Sequence, residues 1–112
     1  MDPVVIAVAI TGSVNFPTIV YENSAALVTD LATKMRDNDV RPEIEVFDLS
    51  HIHGARKLVD EGLMDERPHV QFVMGVKNAM PAEEHLLDIL LGELRRVLRG
   101  LPDDRPGRDR RQ

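Results

Sequence analysis

Three short apolar segments alternate with three longer amphipathic segments, and this alternation most constrains the fold of the chain. Apolar and β-branched residues crowd the short segments, which is typical of strands that are covered on both faces. The amphipathic segments repeat leucine or a similar residue at helical spacing. We predict strands at residues 4–10, 43–48 and 69–76, and helices at residues 24–38, 51–61 and 81–100. The expected fold is α/β, with three consecutive βα units and parallel strands.

The length of the chain limits how complete such a fold can be. A closed βα barrel needs eight units and about 250 residues, whereas this chain has 112. We therefore expect residues 1–100 to form a domain equivalent to less than half of such a barrel. Residues 101–112 are rich in Pro, Asp and Arg, and we expect them to be a disordered charged tail.

Capping residues and prolines predict where each helix begins. Asn23 or Ser24 suits the N-cap of the first helix, and Ser50 suits that of the second. Pro81 or Ala82 is expected to begin the third helix, since proline is favoured in a first turn.

Composition excludes several classes of function. The net charge is −5 and no basic face accumulates, which argues against nucleic-acid binding. Cysteine is absent, so disulfides and thiolate chemistry are excluded. The apolar run at residues 4–10 is too short to span a bilayer and lacks the basic flank of a signal peptide. We expect a cytoplasmic protein without a membrane partner.

The central predicted strand carries two carboxylates on one of its faces. Side chains alternate along a strand, so Glu43, Glu45 and Phe47 share one face, while Ile44, Val46 and Asp48 share the other. Carboxylates on an interior strand need a partner, a solvated cavity or a function. Either glutamate could instead pair with Arg41 or a lysine at an exposed strand start. Asp48 suits a helix N-cap as well as a site.

Two polar loops follow the first and third predicted strands. In α/β folds, ligands bind at the carboxyl ends of parallel strands. Thr11, Ser13 and Asn15 occupy the first loop and Asn78 the second, so they are candidates for ligand contacts. Ser13 and Asn15 could also serve only to cap or turn the backbone.

The His51-Ile52-His53 sequence resembles a zinc-binding pair, but its position argues against that function. Residues two apart on a helix are about 200° apart around its axis, so the two imidazoles should not share one ion. We assign no metal ligand in the chain. His51 is expected at a solvated helix start, or facing the mouth formed by the loops.

Three motifs carry a resemblance to a known family. The sequences TGSVNF at residues 11–16, PEIEVFD at 42–48 and VQFVMGV at 70–76 occur in this order in β-keto acid cleavage enzymes, which include 3-keto-5-aminohexanoate cleavage enzyme. The resemblance implies a TIM barrel of which this chain is a central portion, about the fourth to sixth βα units, so that residues 1–100 are a partial TIM-barrel domain. It also implies that a β-keto acid reacts with acetyl-CoA to give acetoacetate and a new CoA thioester, with an active-site zinc as Lewis acid.

The resemblance also suggests roles for individual residues. It implies that Thr11 and Glu45 are catalytic, and that Ser13, Asn15, Glu43 and Asn78 bind the substrate. The function implied for Glu45, or alternatively for Glu43, is to support the catalytic acid/base group. The family's zinc is held by a His-x-His pair on an early strand and a glutamate on a late strand, and these 112 residues contain neither segment. We therefore expect the chain to be inactive alone. The resemblance also implies a homo-oligomer, since enzymes of the family are generally oligomeric.

An alternative hypothesis gives the chain no catalytic function. In that case it is a truncated remnant or an interaction protein that self-associates through its open sheet edges and the leucine-rich helix at residues 81–100.

Overall fold

A computed structural model of the chain describes residues 4–65 and 67–99. The predicted tail at residues 101–112 lies outside the described residues. In chain order the elements are β1 (Val4–Ile10), β2 (Val14–Asn15), β3 (Val20–Tyr21), α1 (Ala25–Asp37), β4 (Val40–Val46), α2 (Leu49–Asp60), β5 (His69–Phe72) and α3 (Glu84–Val97).

The main sheet consists of β1, β4 and β5, and it confirms the predicted α/β fold with parallel strands. β4 lies in the middle and pairs in parallel with β1 on one side and β5 on the other. The helices α1 and α2 connect successive strands, and α3 follows the last. The carboxyl ends of all three parallel strands therefore lie at the same end of the sheet, as the prediction of a site requires.

β4 begins at Val40, three residues earlier than predicted, so Pro42 lies inside the strand rather than before it. The register with β1 shifts between Val5 and Ala7, and Ala7 is the partner of Pro42. Proline has no N–H to donate, which explains an irregular ladder at this point. β4 also ends at Val46, so Phe47 and Asp48 follow the strand instead of belonging to it.

The core lies on the face of β4 that carries Ile44 and Val46. Ile44 is 0% exposed and packs with the inner faces of α2 and α3, including Ile52 and Leu90. The other face carries Glu43 and Glu45, which are half-buried, and the register places His69 and Gln71 beside them. The predicted division of β4 into an apolar and an acidic face is confirmed.

The first helix starts where predicted, whereas the starts of α2 and α3 differ from the prediction. Ser24 caps α1 as expected, because its Oγ accepts the Leu27 N–H at 3.2 Å. The prediction of Ser50 as a cap is wrong: Asp48 is the N-cap of α2, and its carboxylate accepts both the N–H (3.1 Å) and the hydroxyl (2.6 Å) of Ser50.

α3 begins at Glu84, and not at Pro81 or Ala82. The preceding residue Glu83 has extended backbone, and its N–H donates to the Pro81 carbonyl at 2.9 Å. The proline therefore belongs to a turn that precedes the helix.

β5 ends at Phe72, four residues before its predicted end. Val73 still donates to the Val46 carbonyl at 2.9 Å, after which Gly75 adopts a φ of +83°. This left-handed conformation turns the chain away from the sheet and begins the second polar loop.

A short antiparallel hairpin of β2 and β3 lies inside the segment predicted as a polar loop. Phe16 at its turn makes edge-to-face contacts with Tyr21 and with Phe47 at the end of β4, with centroid distances of 6.2 and 5.9 Å. These contacts place the hairpin over the carboxyl end of the sheet. Among the described residues, we found no helix with the length and hydropathy needed to cross a bilayer.

Candidate functional site

A cavity of about 460 Å³ opens where the two polar loops meet. Ser13 and Asn15 reach it from the first loop and hairpin, and Asn78 reaches it from the loop after β5. Phe47 and Asp48, which follow β4, complete the polar and aromatic lining. The carboxyl ends of all three parallel strands therefore contribute to a single cavity, which we call the mouth cavity.

Thr11 and Glu45, the two predicted catalytic residues, line a different cavity of about 340 Å³. This second cavity has largely apolar walls, to which Leu31 and Met35 of α1 contribute. Glu43 lines neither of these two cavities. The structure thus brings together three of the four predicted substrate-binding residues, and it places the predicted catalytic pair elsewhere.

Asn23, which follows the hairpin, holds the first polar loop. Its backbone N–H donates to Ser13 Oγ at 3.0 Å, and its side-chain amide donates to the Gly12 carbonyl at 3.2 Å. The hydroxyl of Thr11 donates to the backbone carbonyl of His51. Thr11 is therefore buried with its hydroxyl engaged, whereas Ser13 and Asn15 are exposed at the mouth cavity.

His51 is buried at the centre of this arrangement, and its predicted position at a solvated helix start is wrong. Only 1% of the residue is exposed. The Phe47 N–H donates to His51 Nδ1 at 3.0 Å, and His51 Nε2 lies 3.3 Å from the Ser13 carbonyl oxygen. Since Nδ1 accepts, Nε2 carries the proton in the neutral ring and donates to Ser13.

Burial and hydrogen bonding set the charge of the two ionisable residues that open α2. Burial lowers the pKa of His51, although the Ser13 carbonyl and the Asp48 carboxylate favour the charged ring. Partial burial opposes ionisation of Asp48. Two hydrogen bonds from Ser50, together with the electrostatic effect of the nearby His51, nevertheless lower the pKa of its carboxyl below the ordinary value. The neutral imidazole and the ionised carboxylate are thus the stable forms at neutral pH.

The lowered pKa of His51 predicts that the chain loses stability as the pH falls through about 6.5, the value of an unperturbed imidazole. The unfolded chain takes up a proton there more readily than the folded one, so acid favours unfolding. Urea denaturation at pH 7.5 and 5.5 should show this loss. His53→Phe should retain it, and His51→Phe should reduce it. An equal loss in all three proteins would contradict the assignment.

Asn78 presents its side chain from a backbone conformation that few residues adopt. Its φ is +67°, and asparagine tolerates this left-handed region better than most residues. The turn is closed by the Ala79 N–H, which donates to the Val76 carbonyl at 3.0 Å, and by the Gly75 N–H, which donates to the Met80 carbonyl at 2.9 Å. The loop therefore holds Asn78 in a defined place at the mouth cavity.

The described residues do not fit the zinc that the family resemblance implies. In residues 4–65 and 67–99, no three His, Asp or Glu side chains lie close enough together to bind a metal ion. His51 contacts Ser13, while His53 lies on the other side of α2 with Nε2 2.9 Å from the Glu93 carboxylate.

Sequence reasoning missed Asn23 and Phe47 as parts of the site. For His51 it gave a position facing the mouth only as an alternative, and the structure bears that alternative out, since His51 lines the mouth cavity. A signal for His51 was present, since taking Asp48 as the cap of α2 moves the helix start and puts His51 in line with Ala55 and Leu58 on the inner face. Asn23 and Phe47 act through contacts that depend on the hairpin, which the local pattern did not reveal.

Comparison with known proteins relates this arrangement to enzymes of named activity. The 3-oxoadipate:acetyl-CoA acetyltransferase of Cupriavidus necator is 49% identical over 87 residues, which cover 78% of this chain and 31% of that protein. The 3-dehydrocarnitine:acetyl-CoA trimethylamine transferase of Rhizobium meliloti is 35% identical over 72 residues, or 62% of this chain and 24% of the relative. The 3-keto-5-aminohexanoate cleavage enzyme of Acetoanaerobium sticklandii is 33% identical over 75 residues, or 67% and 28%.

The chain therefore spans between about a quarter and a third of the length of these relatives. The family described as beta-keto acid cleavage enzyme matches residues 1–106, which include both polar loops and all three strands of the sheet. Because this match covers nearly the whole chain, the chain belongs to the β-keto acid cleavage enzyme family.

Proposed function

We propose that this chain forms part of the substrate-binding mouth of an enzyme that reacts a β-keto acid with acetyl-CoA, giving acetoacetate and a new CoA thioester. The observation that carries the proposal is the convergence of Ser13, Asn15 and Asn78 on one cavity at the carboxyl end of a parallel sheet. Hydroxyl and amide groups are suitable donors for keto and carboxylate oxygens. The names of the relatives supply the reactants.

The fold supports placing this sheet within a larger βα barrel. Within the described residues, β1 and β5 each pair with β4 alone, so each leaves one edge open for a further strand. The face with Glu43, Glu45 and Gln71 lies opposite the helix-covered core and would line the inside of a TIM barrel. We propose that Glu43 acts there as a substrate contact.

A catalytic function of Thr11 and Glu45 is also part of the proposal. Both line the apolar cavity, where a carboxylate interacts more strongly than in water. Glu45 pairs in register with Ile10, the residue before Thr11. Glu45 and Thr11 therefore lie at the ends of neighbouring strands. In this proposal Thr11 orients the loop through its bond to His51. Glu45 supports the catalytic acid/base group, which the resemblance places in a segment that these 112 residues do not contain. We place the enzyme in the cytoplasm.

Binding of a keto acid to the isolated chain tests this proposal. Titration of the ¹⁵N-labelled chain with 3-oxoadipate should shift the amide signals of Ser13, Asn15 and Asn78. Asn78→Gly removes the amide group at a φ that glycine adopts freely, so loss of about one hydrogen bond should weaken binding about threefold to tenfold. With acetyl-CoA added, we expect no turnover, since these 112 residues lack the metal-binding motifs that the resemblance implies.

The matched control for this variant is Asp39→Gly. Asp39 also has a positive φ, +56°, but it lies in the turn before β4, at the opposite edge of the sheet. Its replacement should leave 3-oxoadipate binding unchanged. Shifts spread over the whole chain, or equal effects of the two glycine variants, would refute the assignment of the mouth cavity.

Self-association is the second candidate function, and it is favoured by exposed apolar side chains on the hairpin and α1. These residues are Ile19, Val20, Tyr21, Leu27 and Leu31. In the leucine-rich helix α3, Leu90 and Leu94 are buried in the core, whereas Leu91 is exposed. We propose a homo-oligomer that covers the exposed side chains and the open sheet edges. Measuring the oligomeric state by sedimentation during the same titration distinguishes the two candidate functions. A chain that stays monomeric and binds 3-oxoadipate supports the substrate-binding function and contradicts self-association.

A further inference from the structure

Three contacts of His51 connect the end of β1, the end of β4 and the first turn of α2. We propose that His51 is a positioning residue of the candidate site, which fixes the loop at residues 11–13 on the turn at residues 47–48 through both ring nitrogens and its backbone carbonyl. We call this connection between residues 11–13, residues 47–48 and His51 the junction. The expected effect of His51 on ligand binding rests on the proposed function above, whereas the existence of the junction does not.

Two of the three contacts join segments that are far apart in the chain. The ring accepts the Phe47 N–H at 3.0 Å and donates to the Ser13 carbonyl at 3.3 Å. Its backbone carbonyl accepts the Thr11 hydroxyl. Thr11 and Ser13 lie 40 and 38 residues from His51, so the ring joins two strand ends that the local chain does not connect.

The loop at residues 11–13 and Phe47 both pack closely against the ring. A Cβ at Gly12 would lie 2.8 Å from His51 Cδ2, so the loop backbone rests directly against the imidazole. Phe47 contacts the ring edge to face, with a centroid distance of 6.2 Å. This packing supports a role of the ring in holding Ser13 at the mouth cavity.

The hydrogen bonds require one particular form of histidine. Nδ1 must be unprotonated to accept the Phe47 N–H, and Nε2 must carry the proton that it donates to Ser13. From the turn, the Asp48 carboxylate favours the charged ring, while the loop presents only the Ser13 carbonyl dipole to it. Phenylalanine keeps the ring shape without either nitrogen, and asparagine keeps an acceptor near the place of Nδ1.

The unmodified chain provides the first test, by ¹⁵N spectroscopy of its imidazole rings. At pH 7.5 the His51 signals should show a neutral ring with the proton on Nε2. This neutral form should persist to a lower pH than the neutral form of an unperturbed imidazole, which titrates at about 6.5. A proton on Nδ1, or a charged ring at neutral pH, would overturn the proposal without any variant having to fold.

Variants provide the second test, by hydrogen exchange of the Phe47 amide measured relative to the Val46 amide, so that global unfolding cancels. His51→Phe should speed this relative exchange about threefold to tenfold, as expected for a lost hydrogen bond. His51→Asn should restore part of the protection, and His53→Phe should change nothing. Unchanged exchange in His51→Phe, or identical behaviour of the Phe and Asn variants, would refute the positioning role.

Titration with 3-oxoadipate separates this inference from the proposed function. We expect binding to His51→Phe to weaken at least about threefold, because the mouth cavity loses its fixed loop. If the Phe47 amide exchanges faster in His51→Phe but this variant binds 3-oxoadipate as tightly as the unmodified chain does, the positioning role is wrong. If the unmodified chain does not bind 3-oxoadipate, the proposed function fails, and the exchange experiment still decides whether His51 holds the junction.

Discussion

Leu90→Ala is expected to lower the free energy of unfolding by about 2–5 kcal/mol, measured by urea denaturation. Leu90 of α3 is 0% exposed and belongs to the core cluster with Ile44, Val46 and Ile52. Removal of its side chain loses buried apolar area and leaves a cavity between α3 and the sheet. A domain of this size is stable by only about 5–15 kcal/mol, so a large part of its stability would be lost.

Leu91→Ala is the matched control, because it makes the same chemical change one residue further along the same helix. Leu91 is 40% exposed, so its truncation removes fewer contacts. We expect a loss of about 1 kcal/mol or less. Equal losses in the two variants would show that α3 does not pack on the sheet through the face that carries Leu90.

Gly54→Ala is expected to destabilise the chain by about 1–3 kcal/mol, although alanine favours helices over glycine. The added Cβ would lie 2.5 Å from the Thr11 carbonyl oxygen and 3.0 Å from Thr11 Cβ. Both belong to the end of β1, where backbone cannot move away as a flexible side chain would. The helix α2 and the first polar loop would have to separate, which should shift the Ser13 amide signal as well.

Lys57→Ala is the control for this variant, since Lys57 lies three residues further along α2 with an exposed side chain. Its replacement should change the free energy of unfolding by less than about 0.5 kcal/mol. If Gly54→Ala instead stabilised the chain by about 1 kcal/mol, helix propensity alone would govern the site. The close approach of α2 to Thr11 would then be incorrect.

Most of the fold could be predicted, because its signals are local. The two faces of β4 follow from alternation at Ile44 and Val46, and the cap at Ser24 follows from its hydroxyl before a helical repeat. Errors occurred where two local signals competed. Asp48 and Ser50 are both good caps, and Asp48 prevails because its carboxylate accepts two hydrogen bonds from Ser50.

The candidate site could be predicted only in part. Parallel strands bring their carboxyl ends together, so the convergence of Ser13, Asn15 and Asn78 was foreseeable from topology. The separation of Thr11 and Glu45 into another cavity was not foreseeable, since it depends on how α1 lies on the sheet. The hairpin escaped prediction because its strands, β2 and β3, have only two residues each.

The amino-acid sequence by itself determined the order of the three main strands and three helices, the parallel arrangement of those strands and the family, because periodicity and motifs are properties of neighbouring residues. Only the tertiary structure decided the place of His51. Its hold on the first polar loop arises from contacts with residues 38 and 40 positions away. Such contacts form when β1, β4 and α2 pack together, and no local pattern records them.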